Sequence, residues 1–284
     1  MRPPRPTPST ASALTAGALA LVAAVATAQV PNQYRTAPED LPCVGQTLAL
    51  RVHVVDDLDG EPLDFDTLGF EGAVRLTNGF FAPICLDFEV CEYLRVPNYR
   101  YASFEQEDGR NDGQEAAALF GDSNRIDIYI ADTTLEENCG LATLGGARAA
   151  LQRRAFIMVV DGCADSTSQT LAHELGHYFG LLHTFEGSDG GDPELVNGEN
   201  CATAGDLLCD TPADPYVEGS NIQYVDPDDP CRFRWRGRDA NGDYYVPHTA
   251  NVMSYYSSAC ACGFTHDQLA LMAGVFLGNR EGLY

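Results

Sequence analysis

Three histidines and one glutamate stand at fixed intervals in a single stretch, TLAHELGHYFGLLHTF, which covers residues 170–185. The pattern is H-E-x-x-H-x-x-G-x-x-H, formed by His173, Glu174, His177, Gly180 and His183. Because residues four apart lie on one face of an α-helix, His173 and His177 can present two imidazoles to one metal ion. A third imidazole leaves one tetrahedral position open for water, which is the arrangement of a catalytic zinc site.

The glutamate and the glycine have separate tasks in this pattern. Glu174 is rotated by roughly 100° from His173 about the helix axis, so its carboxylate lies beside the metal and can act as general base for a water molecule. Gly180 can adopt the left-handed conformation that ends a helix, after which the chain can turn and bring His183 back as third ligand. The alternatives are a buried helix with incidental histidines and a structural zinc. Five specified positions argue against the first, and the lack of a fourth protein ligand argues against the second.

Several regular elements are predicted to position this motif. Apolar patterning predicts strands at residues 47–55, 81–90, 125–131 and 155–160, and a helix over 66–78 that ends at Asn78-Gly79. Ser166 and Gln169 form an S-x-x-Q capping box that predicts the start of the motif helix. Thr265 and Gln268 form a second box, which opens a last helix through about Phe276.

A second element of chemistry follows in the stretch NVMSY, residues 251–255. After the long zinc motif a methionine turn is expected, which places Met253 beneath the metal. Tyr255, two residues later, can bring its hydroxyl toward the zinc or an oxyanion. Without the upstream motif, the same stretch would be an ordinary turn with a core methionine.

The first 28 residues predict a secretory signal peptide. Arg2 and Arg5 form its positive region, residues 13–25 are apolar, and Ala26-Thr27-Ala28 is the cleavage site. The apolar run is short for a membrane span of about 20 residues. Removal leaves 284 − 28 = 256 residues, which suits one domain that a cleft can divide into two lobes. We expect a mature chain without a membrane anchor, secreted to the extracellular space, or to the periplasm of a Gram-negative bacterium.

The chain is strongly acidic. Its formal charge of −24 becomes −24 − 2 = −26 once the two signal arginines are removed. Such a charge argues against nucleic acid or anionic membrane as a partner and leaves carboxylates for calcium. The loop over residues 189–214 is either a solvated, disulfide-tied loop or a calcium site; its candidate ligands are Asp189, Asp192, Glu194, Glu199, Asp206 and Asp210.

Ten cysteines in an exported chain indicate disulfides, and the even count permits five bridges. Sequence alone does not determine their pairing, and Cys85 and Cys91 are too far apart along one extended strand to bond each other. The candidates are Cys43, Cys85, Cys91, Cys139, Cys163, Cys201, Cys209, Cys231, Cys260 and Cys262.

A predicted strand before Asn241-Gly242 carries arginines at every second position, and a hairpin turn is predicted at that dipeptide. The arginine side chains are expected on one face and Phe233 and Trp235 on the other. The arginine face is either an exosite for acidic partners or a solvated edge that discourages strand pairing. The arginines are Arg232, Arg234, Arg236 and Arg238.

Four stretches together resemble the pappalysins, a family of metzincin zinc metalloendopeptidases. They are HELGHYFGLLHTF, GDLLCDTP at residues 205–212, NVMSY, and FTHDQLALM at residues 264–272. The resemblance is specific over about 155–275 and looser over 47–154. It implies an α+β metzincin fold: a twisted, mixed five-stranded sheet with two helices in an upper lobe (about 47–182), and an irregular, disulfide-tied lower lobe with a C-terminal helix (about 183–284). Residues 29–46 would then be a short N-terminal segment before a catalytic domain at 47–284.

The resemblance also implies roles for individual residues. His173, His177 and His183 would bind one zinc, Glu174 would be the general base, and Met253 would form the methionine turn. Tyr255 would assist the transition state, and calcium in the lower lobe is usual for relatives.

Two departures from the family concern control and specificity. Relatives that prefer basic residues after the cleaved bond carry acidic residues just before the cysteine that follows the methionine turn, whereas residues 256–259 here are Tyr-Ser-Ser-Ala. We therefore predict a preference for uncharged side chains, unless an acid from another loop, such as residues 226–229, reaches the pocket. Cys43 lies close to the first predicted strand, so we expect it in a disulfide rather than in a zinc-blocking switch.

The sequence thus predicts a secreted zinc metalloendopeptidase whose partner is a protein or peptide substrate; its oligomeric state is left open. The alternatives are a non-catalytic binding module that keeps the scaffold and a zinc hydrolase of a non-peptide bond. A scaffold would not need Glu174, which argues for the enzyme.

Overall fold

A computed structural model describes residues 41–104, 111–122, 124–134, 138–148 and 154–278. The predicted signal peptide at 1–28 and residues 29–40 of the N-terminal segment lie outside these ranges. The strands are β1 (Gln46–Val55), β2 (Leu86–Val96), β3 (Ser103–Phe104), β4 (Ile126–Ala131), β5 (Thr133–Thr134), β6 (Gly140–Ala142), β7 (Ile157–Val160), β8 (Val225–Asp226) and β9 (Asp229–Phe233). The helices are α1 (Thr67–Phe81), α2 (Asp112–Phe120), α3 (Thr170–Tyr178) and α4 (His266–Gly278).

The central sheet has five strands in the order β2-β1-β4-β7-β6. The first four are parallel, and β6 runs antiparallel to β7 at one edge. All six residues of β4 are buried, as expected for a strand covered on both faces. This arrangement, with helices and the C-terminal α4, confirms the predicted α+β fold with a mixed five-stranded sheet.

Two apolar clusters cover the two faces of the sheet. Alternate residues of β4 contribute to each, with Ile128 in the larger cluster and Tyr129 in the smaller. The larger cluster includes residues of α1, α3 and α4, and the smaller one includes residues of α2. The short helix α2 was not predicted. Among the described residues, no helix has both the length and the apolar character that crossing a membrane requires.

Helix α1 and strand β2 differ from their predicted bounds. Asp66 caps α1 by accepting a hydrogen bond from the Leu68 N–H at 3.0 Å, but the helix continues past Asn78-Gly79 to Phe81. Asn78 does not turn the chain because its side chain pairs with strand β2. Its amide donates to the Phe88 carbonyl at 3.0 Å and its oxygen accepts from the Phe88 N–H at 2.8 Å. The predicted start of the strand at Phe81 was therefore wrong, and β2 begins at Leu86.

One of the two predicted capping boxes forms. Thr265 and Gln268 bond reciprocally, at 2.8 Å and 3.3 Å, and start α4 as predicted. The box of Ser166 and Gln169 is wrong: α3 begins at Thr170, whose N–H bonds to the Ser168 hydroxyl at 3.2 Å instead.

Four disulfides cross-link the described residues: Cys43–Cys85, Cys139–Cys163, Cys201–Cys209 and Cys231–Cys260. The predicted disulfide role of Cys43 is confirmed. Cys91 and Cys262 are free, so the fifth permitted bridge does not form. Cys91 occupies a bulge of β2, where its thiol donates to the Leu50 carbonyl at 3.1 Å.

The predicted hairpin turn at Asn241-Gly242 is confirmed. Arg238 bridges to Tyr244, and the Asp239 N–H donates to the Asp243 carbonyl at 2.9 Å. Between residues 184 and 265 the only strands are β8 and β9, so most of this region is held by side-chain and turn contacts.

Candidate metal centre and active-site cleft

The three histidines of the motif converge on one point. Their Nε2 atoms are 3.1 Å apart for His173 and His177, 3.0 Å for His177 and His183, and 3.2 Å for His173 and His183. In the described part of the chain, this is the one group of three or more histidine, cysteine or acidic side chains whose ligand atoms are close enough to hold one metal ion.

Backbone carbonyls orient two of the three rings. His173 Nδ1 lies 2.7 Å from the Val252 carbonyl and His177 Nδ1 lies 2.7 Å from the Leu181 carbonyl. A carbonyl can only accept, so each Nδ1 carries the proton and each Nε2 keeps its lone pair for a metal.

Gly180 forms the turn that completes the site. Helix α3 ends at Tyr178, and Gly180 has φ +99°, the left-handed conformation predicted for it. The Leu181 N–H then bonds back to the Gly176 carbonyl at 2.9 Å, a Schellman-type ending. The turn also directs the Leu181 carbonyl at His177 and brings His183 to the other two rings.

Electrostatics keep the three rings neutral. Burial, and then the neighbouring rings of the triad, hold the pKa of His173 well below its usual value. Burial lowers the pKa of His177, and burial together with His177 lowers that of His183 to about 3. Three neutral imidazoles with converging lone pairs suit a cation, and their nitrogen donors fit zinc.

Glu174 lies beside the triad and faces a cavity. Its side chain is buried, and one carboxylate oxygen, Oε2, has no hydrogen-bond partner among the described residues. Burial raises its pKa to about 8. Gly140, in edge strand β6, makes room for it, because a Cβ there would lie only 2.6 Å from Glu174 Oε1.

Met253, the residue predicted to lie beneath the metal, packs directly against the motif helix. Its sulfur lies against Gly176, where a Cβ would be only 2.4 Å away. The Thr184 N–H donates to the Met253 carbonyl at 3.1 Å, which ties the methionine turn to the residue after His183.

Asn251 and Gln268 support this turn, and sequence reasoning missed their partnership. Asn251 Oδ1 accepts from the Met253 N–H at 2.8 Å, and Asn251 Nδ2 donates to Gln268 Oε1 at 2.9 Å. The recognised capping box at Gln268 was the available signal, since the same oxygen serves both contacts.

Tyr255 lies next to two of the three converging histidines. Its ring centroid is 4.7 Å from that of His183 and 5.6 Å from that of His173. It also lies 6.0 Å from Tyr216, a ring from a different segment.

A cavity of about 280 Å³ opens beside this centre. It is lined by residues 138–140, by Gln169 and three residues of α3, and by the stretch after the methionine turn. Tyr216 and the exposed Glu218 also line it, and neither was predicted. The acids at residues 226–229, named as candidates from the sequence, are not among the lining residues.

Comparison with known proteins identifies the chain. Residues 111–277, more than half of its length, match the family model Peptidase_M43, described as pregnancy-associated plasma protein-A. The protein belongs to this pappalysin family. It is therefore a zinc metalloendopeptidase, and the resemblance seen in the sequence is confirmed.

Individual relatives agree with this assignment at modest identity. Extracellular metalloprotease 1 of Coccidioides posadasii is 26% identical over 230 residues, which span 74% of this chain and 68% of that protein. Pappalysin-1 of Mus musculus is 29% identical over 159 residues, 53% of this chain but only 9% of that much longer protein. A structure of mature mirolysin of Tannerella forsythia in complex with a cleaved peptide is 14% identical, with a TM-score of 0.54 over 81% of this chain and 91% of that one. At this identity the structural likeness shows the fold alone.

A buried carboxylate links the segments that build the cleft of this pappalysin-family protein. Asp214 accepts hydrogen bonds from the Thr184 hydroxyl and the Tyr256 phenol, both at 2.8 Å, and from the Tyr216 N–H at 3.1 Å. Burial raises the Asp214 pKa to about 6, although these hydrogen bonds oppose the rise. Asp214 thus joins the residue after His183, the cavity wall and the residue after Tyr255.

Two further buried carboxylates lie in the loop over residues 189–214, which was predicted to be either solvated or a calcium site. Glu194 Oε2 and Asp206 Oδ2 are buried without hydrogen-bond partners in the described ranges. Burial, then Asp206, raises the pKa of Glu194 to about 8; burial, with smaller contributions from Asp210 and Asp214, raises that of Asp206 to about 7. A fully solvated loop does not account for these two groups.

Proposed function

We propose that this pappalysin-family protein is a secreted endopeptidase in which Glu174 is the general base. The observation that carries the proposal is the buried, unpartnered Glu174 carboxylate beside three converging imidazoles, at the wall of a cavity. His173, His177 and His183 would hold the zinc. Zinc, when bound, polarises the scissile carbonyl and lowers the pKa of a water molecule toward about 7.

The chain's own residues then move protons and stabilise charge. Glu174 takes a proton from the attacking water and delivers it to the nitrogen of the leaving amine as the C–N bond breaks. Tyr255, whose ring lies against His183, donates a hydrogen bond from its phenol O–H to the carbonyl oxygen that becomes negative during the reaction. Edge strand β6 lines the same cavity through Gly140, so the reacting carbonyl is held between β6 and the methionine turn.

Replacing Glu174 with Ala distinguishes this enzyme from a binding module that keeps the scaffold. Proteolysis of casein should fall by about 10²–10⁴-fold or more, because a general base contributes that much. Zinc content should stay at one per chain, since Glu174 is not a ligand. Glu186→Ala, an exposed glutamate outside the cavity wall, is the matched control. Wild-type turnover by Glu174→Ala would refute the assigned role.

Tyr255→Phe tests the second catalytic group. The phenol acts on charge that develops during the reaction, so kcat should fall while KM changes little. A variant with unchanged kcat would make Tyr255 a packing residue. Steady-state kinetics on one fluorogenic peptide give both values.

Secretion is proposed from three observations. The first 28 residues have the form of a signal peptide, the relatives are named extracellular, and four disulfides suit an oxidising compartment. We propose a catalytic domain at 47–284, with its lobes meeting near residue 183, acting on proteins or peptides.

We also propose a structural calcium ion in the lower lobe. Glu194 Oε2 and Asp206 Oδ2 are hard oxygen donors, and a buried carboxylate oxygen without a partner is costly unless a cation or a proton neutralises the charge. The other oxygen of Asp206, Oδ1, accepts a hydrogen bond from the Leu208 N–H at 3.0 Å.

A further inference from the structure

Four arginines lie on the outer face of the segment that leads from β9 into the hairpin turn; we refer to Arg232, Arg234, Arg236 and Arg238 as the arginine stripe. Their side chains are exposed, whereas the alternating Phe233 and Trp235 are half-buried. The segment therefore presents cations to solvent and aromatic rings to the protein.

Covalent and aromatic contacts hold this segment in place. The Cys231–Cys260 disulfide joins it to the stretch after the methionine turn. The N–H groups of Arg234 and Trp235 donate to the Tyr224 carbonyl at 2.8 Å and 3.1 Å. The Trp235 ring stacks on Tyr245 at 6.0 Å. A cation displayed here loses less freedom on binding than one on a mobile loop.

Among the described residues, the side chains of the two end arginines have direct polar partners and those of the two central ones do not. Arg232 pairs with Asp226, and Arg238 donates to the Gly242 carbonyl while lying 3.7 Å above the Tyr244 ring. Arg234 and Arg236 make no direct ion pair with any carboxylate of the described residues, although Arg234, after Arg232, helps to lower the pKa of Asp226. On a chain with 41 acidic and 17 basic residues, two neighbouring exposed arginines without a direct carboxylate partner form a local anion-attracting spot.

The aromatic side of the segment reaches the wall of the cavity. Phe233 lies 6.4 Å from Tyr256, and Trp235 contacts Tyr224, which lies 5.2 Å from Tyr216. Tyr216 and Tyr256 both line the cavity. A bound chain that leaves the cavity in an extended form advances by about 3.3 Å per residue, so a few residues would bring it to the stripe.

From these contacts we propose that Arg234 and Arg236 form an exosite for an acidic segment of the protein being cleaved. The proposal rests on the proposed protease function only where it calls the bound protein a substrate. Binding of an acidic segment to the two arginines does not depend on that function. Each guanidinium offers a planar pair of N–H donors that matches a carboxylate. The alternative, a solvated edge, predicts no selective binding.

Two fluorogenic peptides that share one cleavage core test the exosite. One continues into four aspartates and glutamates, and the other into four serines and glycines. At low salt the wild type should cleave the acidic peptide with about tenfold higher kcat/KM, because two exposed charge pairs contribute roughly that factor. The preference should vanish above about 0.5 M salt, where charges are screened.

The variant Arg234→Gln/Arg236→Gln should lose the preference and keep its rate on the neutral peptide. Arg75→Gln/Arg154→Gln, which changes two exposed arginines elsewhere, is the control and should behave as the wild type. Equal rates for both peptides in the wild type, or a preference that survives in the stripe variant, would overturn the proposal.

A binding measurement separates the exosite from the catalytic assignment. Anisotropy of the labelled acidic peptide is measured on Glu174→Ala, with and without the stripe substitutions. Binding that disappears with the stripe supports the exosite even where no turnover occurs, so an inactive protein alone would refute only the protease. Binding of a sulfated polysaccharide but not of the acidic peptide would overturn the proposal in favour of a glycan site.

Discussion

The regions before and after His183 are stabilised by different means. In the first region, the five-stranded sheet places apolar residues in two clusters, and backbone ladders determine most positions. In the second, only β8 and β9 are strands between residues 184 and 265; two disulfides and buried carboxylates connect the loops there. The comparison shows that the site is built from both regions. Helix α3 supplies His173, Glu174 and His177, and the irregular region supplies the methionine turn and part of the cavity wall.

Asp210 and Asp214 show how a carboxylate can replace a strand pair in the second region. Asp210 accepts from the Thr265 hydroxyl and the Asp267 N–H, both at 2.8 Å, and so supports the start of α4. Asp214 accepts three such hydrogen bonds. They come from Thr184, 30 residues earlier in the chain, from Tyr256, 42 residues later, and from the nearby Tyr216. One buried acid therefore holds what several ladder hydrogen bonds hold in the sheet.

The largest effect is expected from an apolar truncation in the first region. Phe81 is fully buried, with its ring 5.1 Å from Phe88 and 5.2 Å from Phe264. Phe81→Ala should lower the free energy of unfolding by about 3–5 kcal/mol. Leu208→Ala, at a half-buried leucine of the second region, should cost much less. Equal losses in denaturant titrations would mean that both regions depend on apolar packing and would break the comparison.

Calcium and pH should act on the second region. The raised pKa values of Glu194 and Asp206 mean that the folded state holds protons more tightly than the unfolded chain, whose values are about 4. In chelator, the stability from these groups is full below about pH 4 and is lost as pH rises to about 8. Calcium needs the deprotonated forms, so its stabilising effect should grow over the same interval, to about 2.7 kcal/mol at 100 times its Kd.

Thermal melts of the wild type and of Glu194→Gln/Asp206→Asn measure this effect. The variant should be more stable than the wild type at pH 8 in chelator and should not respond to calcium. If the melting temperature of the wild type at pH 8 does not change when calcium is added, the proposed calcium ion is refuted. Asp210 and Asp214, the charged neighbours of Asp206, are unchanged in this variant.

The smallest effect concerns specificity at the cavity wall. We still predict cleavage mainly before uncharged side chains, because Glu218 is exposed and a solvated carboxylate attracts a cation only weakly. A peptide library analysed by mass spectrometry gives the preference, with Glu218→Gln as the matched variant. Cleavage concentrated before arginine and lysine would contradict the prediction, and its loss in Glu218→Gln would identify the responsible acid.

The sequence predicted the metal centre well because the motif carries its own geometry. His173, Glu174 and His177 lie on one short helix, and Gly180 determines the turn that returns His183. The positions follow from helix periodicity and from one glycine, without knowledge of distant contacts. Four of the five strands of the sheet were found for the same reason, since their patterning is local, whereas the short edge strand β6 was not predicted.

What the sequence missed depends on contacts between distant residues. The turn signal at Asn78-Gly79 was outweighed by two hydrogen bonds to Phe88, ten residues later. Asp214, Tyr216 and Glu218 reach the cleft through a loop without periodicity, and Asp214 contacts Tyr256 42 residues away. No local pattern encodes such a pairing.

The Val252 and Leu181 carbonyls orient the His173 and His177 rings through contacts within the protein itself. In small zinc domains the ligands come together only when the metal binds, so chelators unfold them. Because carbonyls of the protein itself hold two of the three rings here, we expect a chelator to remove zinc without unfolding the chain. The zinc concentration around the protein would then determine which fraction of the existing molecules is active. Such a change would be reversible and would need no new protein synthesis.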